Sequence, residues 1–152
     1  MRHAVVLWLP VAIAWLLHSC AHNKKLYTSD CSADISYKKI GYAALADSIT
    51  HYDKQYVEVS GRFAEGKDLS ALVNDSLYAI HGESRAFWIN FSQDCPLYLK
   101  GTHQGFFASE DGAGNKLNDR MVTVRGRVDL RQKGHNKAYR ATIDDISYIE
   151  IE

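Results

Sequence analysis

The sequence has little cysteine, little proline and no excess of charge. Three cysteines in 152 residues are too few for a disulfide-dense scaffold. With 2 prolines and 10 glycines the chain is neither collagen-like nor a Pro/Gly-rich low-complexity sequence. Its 18 basic and 18 acidic side chains cancel to a formal net charge of +0. That balance argues against a dedicated nucleic-acid binder, which carries a strong basic bias, and against a long acidic tail. What is present is ordinary for a globular chain: 46% hydrophobic and 24% charged residues, enough apolar surface to exclude wholesale disorder. The length suggests one domain.

Long apolar runs are also scarce. The one candidate is Ala4 to Leu17, which follows the short basic start Met1-Arg2-His3. It is shorter than the roughly 20 residues of a membrane-spanning helix, and Pro10 interrupts it. It suits the ~7–15-residue apolar core of a secretory signal. His18, Ser19, His22, Asn23, Lys24 and Lys25 restore polarity at once. Residues 1–19 therefore read as a signal peptide; a short anchor that is never cleaved is the other reading.

The run ends in Leu17-His18-Ser19-Cys20. This string resembles the lipobox of bacterial lipoproteins, in which an aliphatic residue and two mostly small ones precede an obligatory cysteine. Leu17, Ser19 and Cys20 match, and His18 departs from the pattern. The resemblance implies a diacylglyceryl group on the Cys20 sulfur and cleavage just before it. One acyl chain holds a protein only marginally, and two or more hold it firmly. Residues 20–36 then form the lipidated cysteine and a polar tether. Ala21 is not the aspartate that retains enteric lipoproteins in the inner membrane, and no acidic run follows Cys20. The resemblance thus implies an outer-membrane anchor facing the periplasm. The alternative is an ordinary signal cut near Ser19 or Ala21, with Cys20 incidental. In either case Cys31 and Cys95 remain as a pair in an oxidising compartment, able to close a disulfide or to persist as separate thiols.

Beyond the tether, Tyr42, Leu45, Ala46, Ile49 and Tyr52 fall at helical spacing. From Tyr56 the period becomes two. Val57, Val59 and Phe63 point one way, and Glu58, Ser60 and Arg62 the other. Leu77 to His81, Ala86 to Phe91, Met121 to Val128, Tyr139 to Ile143 and Tyr148 to Ile151 are further strand candidates. Loops are expected at Ser109 to Asp119 and at Lys133 to Asn136. Gly61 and Gly126 stand inside two strands of similar sequence, where glycine often marks a bend or bulge.

The helix, the strand Tyr56 to Gly61, the aromatic strand Ala86 to Phe91 and the strand Met121 to Val128 together resemble OB-fold domains. More narrowly, they resemble the small domains of bacterial lipoproteins and of the tRNA-anticodon-binding-like family. The resemblance implies a mainly β domain over residues 37–152, a small OB-like antiparallel barrel of five or six strands preceded by one short helix. A small β-sandwich uses the same strands.

Chemistry-bearing motifs are few. The pair His18 and His22 has ligand spacing but flanks Cys20, so cleavage would part it. No nucleophile elbow and no phosphate-cradling glycine loop occurs. Asp144 and Asp145 are adjacent, which in an extended strand turns them to opposite faces. The expectation is a protein that is not an enzyme and holds no metal or cofactor, with an envelope enzyme as a remote third reading. The expected role is a membrane-anchored lipoprotein whose OB-like domain binds or scaffolds an envelope protein or glycan. A soluble secreted ligand-binding domain is the alternative, and nucleic acid is not the expected partner. The candidate binding face is Arg62, Trp88, Arg125 and Arg127. Tyr56, Tyr78, Tyr98 and Tyr139 are further candidates for an aromatic platform.

Overall fold

The alternation from Tyr56 onward sets the architecture. In a computed structural model, which describes residues 24–32, 34–108 and 117–152, Val57, Val59 and Phe63 are buried. They belong to strand β3 (Tyr56–Gly66), preceded by β1 (Lys25–Thr28) and β2 (Lys38–Lys39). After it come β4 (Leu69–Val73), β5 (Phe87–Ile89), β6 (Tyr98–Leu99), β7 (Met121–Asp129) and β8 (Ala141–Ile151). Helix α1 (Tyr42–Asp47) lies before β3, and α2 (Asp75–His81) lies between β4 and β5. The expected signal peptide, Cys20 as the expected lipidation site, and the middle of the expected loop Ser109 to Asp119 fall outside the described residues.

Five strands close a barrel in the cyclic order β3-β4-β5-β8-β7. Four of its five seams are antiparallel. The fifth is parallel, Phe87 to Ile89 beside Ala141 to Ile143, a correction to an all-antiparallel expectation. Taken along the chain, the barrel strands are neighbours in the order first, second, third, fifth, fourth. The OB-like expectation therefore holds. The apolar residues of the expected strands share one core: Val57, Val59, Phe63, Phe87, Ile89, Val122, Val124 and Val128 are buried and Phe91 packs against them.

Four boundaries differ from the sequence expectation, each for a local reason. Leu77 to His81 is helix, because the Asn74 side chain accepts a hydrogen bond from the Leu77 amide and caps it. The missing second barrel strand is Leu69–Val73, joined to β3 by the two-residue turn Lys67-Asp68 with Asp68 at φ 60°. The expected helix Tyr42 to Tyr52 is α1 followed by a separate 3₁₀ turn, Ile49–Tyr52, and it buries Leu45 and Ile49 against the barrel. The expected tether does not run to residue 36, since β1 hydrogen-bonds along the end of β8, from Lys25 beside Ile151 to Thr28 beside Tyr148.

Strand β8 is continuous where two strands were expected, and a bulge explains the apparent break. Arg125 faces Tyr148 and Arg127 faces Asp144, so Gly126 alone stands opposite Asp145, Ile146 and Ser147. Asp145 takes φ 52° to absorb the extra length. The bulge brings the Asp144 carbonyl against Gly126, where a Cβ would lie 2.6 Å from it. Gly61 is likewise hemmed in, its Cβ position 2.8 Å from Leu72 Cγ.

Between β5 and β7 the chain leaves the barrel. Short strand β6 pairs with β1, and Phe106 stacks edge-on to Tyr27 at 5.0 Å. A disulfide joins Cys31 to Cys95 with Cα atoms 5.7 Å apart. It ties the turn after β1 to the segment before β6.

Candidate functional site

Trp88 places the site. It lies on the outward side of β5, with Ala71 of β4 on one side and Thr142 of β8 on the other. On this face Trp88 and Tyr139 pack at 5.2 Å over a small apolar cluster that includes Ala71 and Val73. Burial raises the Tyr139 phenol to about 12, so it stays neutral at physiological pH.

A groove of about 630 Å³ opens beside Trp88, within the ~300–1,000 Å³ typical of ligand sites. Trp88, Thr142 and Ser70 form its floor. Gly66 at the end of β3 and Asp68 of the β3–β4 turn form one wall. The other wall is the β7–β8 loop, with Arg131, Lys133, His135 and Lys137. This loop lies directly on the indole. Gly134 has φ +61°, and a Cβ there would stand 2.7 Å from Trp88 and 2.6 Å from Tyr139. Only glycine permits both that backbone angle and that approach.

The base of the loop is pinned by charge. Lys54 pairs with the buried carboxylate of Asp129, which also accepts the Arg131 amide at 2.7 Å. The Lys54 ammonium holds the Asp129 carboxyl below its ordinary value, against the opposing effect of burial. A depressed folded-state value stabilises the fold above the ordinary carboxylate value of about 3.9. That contribution disappears as pH falls through the folded value. Asp129→Asn should therefore flatten the acid limb of a stability–pH curve below about pH 4. Urea titrations across that range would show it, and an unchanged limb would refute the assignment.

The expected binding face is not brought together. Arg62 pairs with Asp75 at 2.5 Å and Asp119 at 2.6 Å. Arg125 pairs with Glu58 at 2.7 Å and stacks 4.2 Å over Tyr148. Arg127 pairs with Asp145 at 2.9 Å. None of the three lines the groove, and only Trp88 of the four does. Of the candidate aromatics, Tyr78 and Tyr139 share one cluster with Trp88, and the others lie apart. Tyr56 packs on Tyr37 at 5.7 Å, Tyr139 is buried behind Trp88, and Tyr98 lines a separate apolar cleft with Phe106 and Phe107. Asp144 and Asp145 do not act together, since Asp144 accepts from Asn90 at 2.9 Å while Asp145 holds Arg127.

Sequence reading missed the cationic β7–β8 loop. A signal existed, because Arg131, Lys133, Lys137 and Arg140 fall within ten positions of a chain with no net charge. Among the described residues, no group of three or more His, Cys, Asp or Glu side chains is placed to hold a metal ion. Among the same residues no helix is long and apolar enough to cross a membrane.

Comparison of the chain with protein-family models, with curated proteins and with solved structures gives no match.

Proposed function

We propose that this chain is a lipoprotein of the cell envelope, anchored through Cys20 to the outer membrane and facing the periplasm. Its OB-like barrel acts as a binding module, with no reaction of its own, for another envelope component. The observation that carries the binding role is the groove at Trp88. It occupies the face of the second and third barrel strands, between the first–second and fourth–fifth connections. OB-folds bind oligonucleotides and oligosaccharides there.

The topology suits an anchored binder. Lys24 is tied to Glu150 at 2.7 Å and to Glu152 at 3.0 Å, and β1 starts at the next residue. From Cys20 to Lys24 the chain can span at most about 14 Å. Lys25 lies beside Ile151 at one end of β8, and Thr142 of the groove floor lies near the other end. At roughly 3.3 Å per strand residue, less the bulge, the groove stands about 23 Å along the barrel from the anchored end.

Metabolic labelling with a tritiated fatty acid, followed by membrane fractionation, tests the anchor. The wild-type chain should carry label and sediment with outer membranes. Cys20→Ser should lose the label and leave that fraction. A wild-type chain without label, cleaved and released, would instead support a soluble secreted binding domain.

A further inference from the structure

The cations of this protein divide into two populations. Lys24, Lys39, Lys54, Arg62, Arg85, Arg125 and Arg127 each lie within 4.0 Å of a carboxylate. Among the described residues, Lys25, Lys38, Lys100, Arg131, Lys133, Lys137 and Arg140 have no carboxylate partner, and three of them, Arg131, Lys133 and Lys137, line the groove. Lys67, in the facing β3–β4 turn, has none either. Asp68 is the only acidic side chain in the groove lining. The groove lining thus carries three unpaired cations against a single carboxylate, in a chain of formal net charge +0. Such a local excess favours an anionic ligand.

The floor narrows the chemistry further. Trp88 is the only Trp, Tyr or Phe of the lining, so the groove offers one large ring platform rather than the successive stacking surfaces that hold single-stranded nucleic acid. Beside it, Thr142 is 1% exposed, and its hydroxyl finds no hydrogen-bond partner among the described residues. A buried hydroxyl of this kind calls for a polar partner. Asn90 gives its amide to Asp144, which leaves its carbonyl oxygen as a further acceptor at the rim. One apolar ring face, a hydroxyl and an amide carbonyl under a cationic loop match a hydroxyl-rich ring that carries negative charge.

Resting on the reading of the groove as the binding site, we propose that its ligand is an anionic oligosaccharide, a sugar chain bearing carboxylate or phosphate groups. Sugar hydroxyls meet Thr142 and Asn90, a ring lies against Trp88, and the acidic groups meet Arg131, Lys133 and Lys137.

The test uses the full chain in detergent micelles with fluorotryptophan incorporated, the Trp88 resonance being assigned through Trp88→Phe. Four probes are titrated: a galacturonate trisaccharide, a heparin tetrasaccharide, neutral maltotriose and a thymidine hexanucleotide. At least one acidic glycan should shift the Trp88 resonance, with affinity falling steeply between about 50 mM and about 300 mM NaCl. The triple variant Arg131→Gln, Lys133→Gln, Lys137→Gln should weaken that binding roughly tenfold or more while keeping the wild-type melting temperature. Maltotriose binding at Trp88 as tightly as the acidic glycans, or an unaffected triple variant, would overturn the anionic assignment and leave the groove reading standing. Tighter binding of the hexanucleotide than of either glycan would overturn it in favour of nucleic acid. If no probe moves the Trp88 resonance, the groove reading falls together with this one.

Discussion

Replacing Cys31 and Cys95 together by serine should lower the unfolding free energy by roughly 4 kcal/mol. The two residues are 64 positions apart, and closing a loop of that length removes about this much entropy from the unfolded chain in the chain-entropy model. The native state should feel the loss unevenly. Inside the closed loop lie β2 to β5, which the barrel holds independently. Outside the barrel lies the excursion that follows β5, described from Asn90 to Ala108. It is tied to the body by the two-residue pairing of β6 with β1, by ring contacts such as Tyr27 with Phe106 at 5.0 Å, and by this disulfide. Urea denaturation of wild type and double variant gives the free-energy difference. Amide exchange should show the protection of Leu99 and Phe106, whose amides bond to Gln104 and Leu97, falling first. A difference below about 1 kcal/mol would mean that the bridge is redundant with the pairing it reinforces.

The sequence made some of this legible and concealed the rest for physical reasons. Val57 and Val59, like Val122 and Val124, alternate with polar neighbours because one strand face meets the core and the other meets water. That contrast is visible in one dimension. Strand β4 shows no such contrast. Leu72 enters the main core while Ala71 and Val73 pack under Trp88 and Tyr139 on the other side. A strand buried on both faces has no period to read. Strand β1 is four residues of ordinary polarity whose register is set by β8 on one side and β6 on the other. The site followed the same rule. Trp88 could be read as turned away from the core on its own strand. The roles of the arginines could not, because Arg62, Arg125 and Arg127 are neutralised by Asp119, Glu58 and Asp145 from distant parts of the chain. Unpaired charge is a property of the folded neighbourhood, and it surfaced on a loop that the sequence marked only as a turn.

Gly126→Ala should be among the most damaging single substitutions, with a loss of about 3 kcal/mol or more, at the upper end of overpacking effects. The added methyl would meet the Asp144 carbonyl oxygen at 2.6 Å, Ile143 Cγ2 at 2.7 Å and Ile146 Cδ1 at 2.8 Å. Two of these are core side chains with no open space to move into, since Ile143 is 0% and Ile146 1% exposed. The third is backbone at the bulge, held by Asp145 at φ 52° and by its ion pair with Arg127. Relief therefore requires the bulge itself to shift, and that would move Asp144 and its bond to Asn90 at the groove rim. Gly61→Ala makes the informative comparison. Its methyl would meet Leu72 Cγ at 2.8 Å, the Val73 carbonyl at 2.9 Å and the Tyr42 ring at 3.2 Å. These distances are longer, and the ring can tilt with α1, so the expected loss is smaller, nearer 1–2 kcal/mol. Chemical denaturation of the two variants orders them. Equal losses, or a milder effect at Gly126, would mean that the β8 bulge is soft and that the barrel closes without the tight contact seen here.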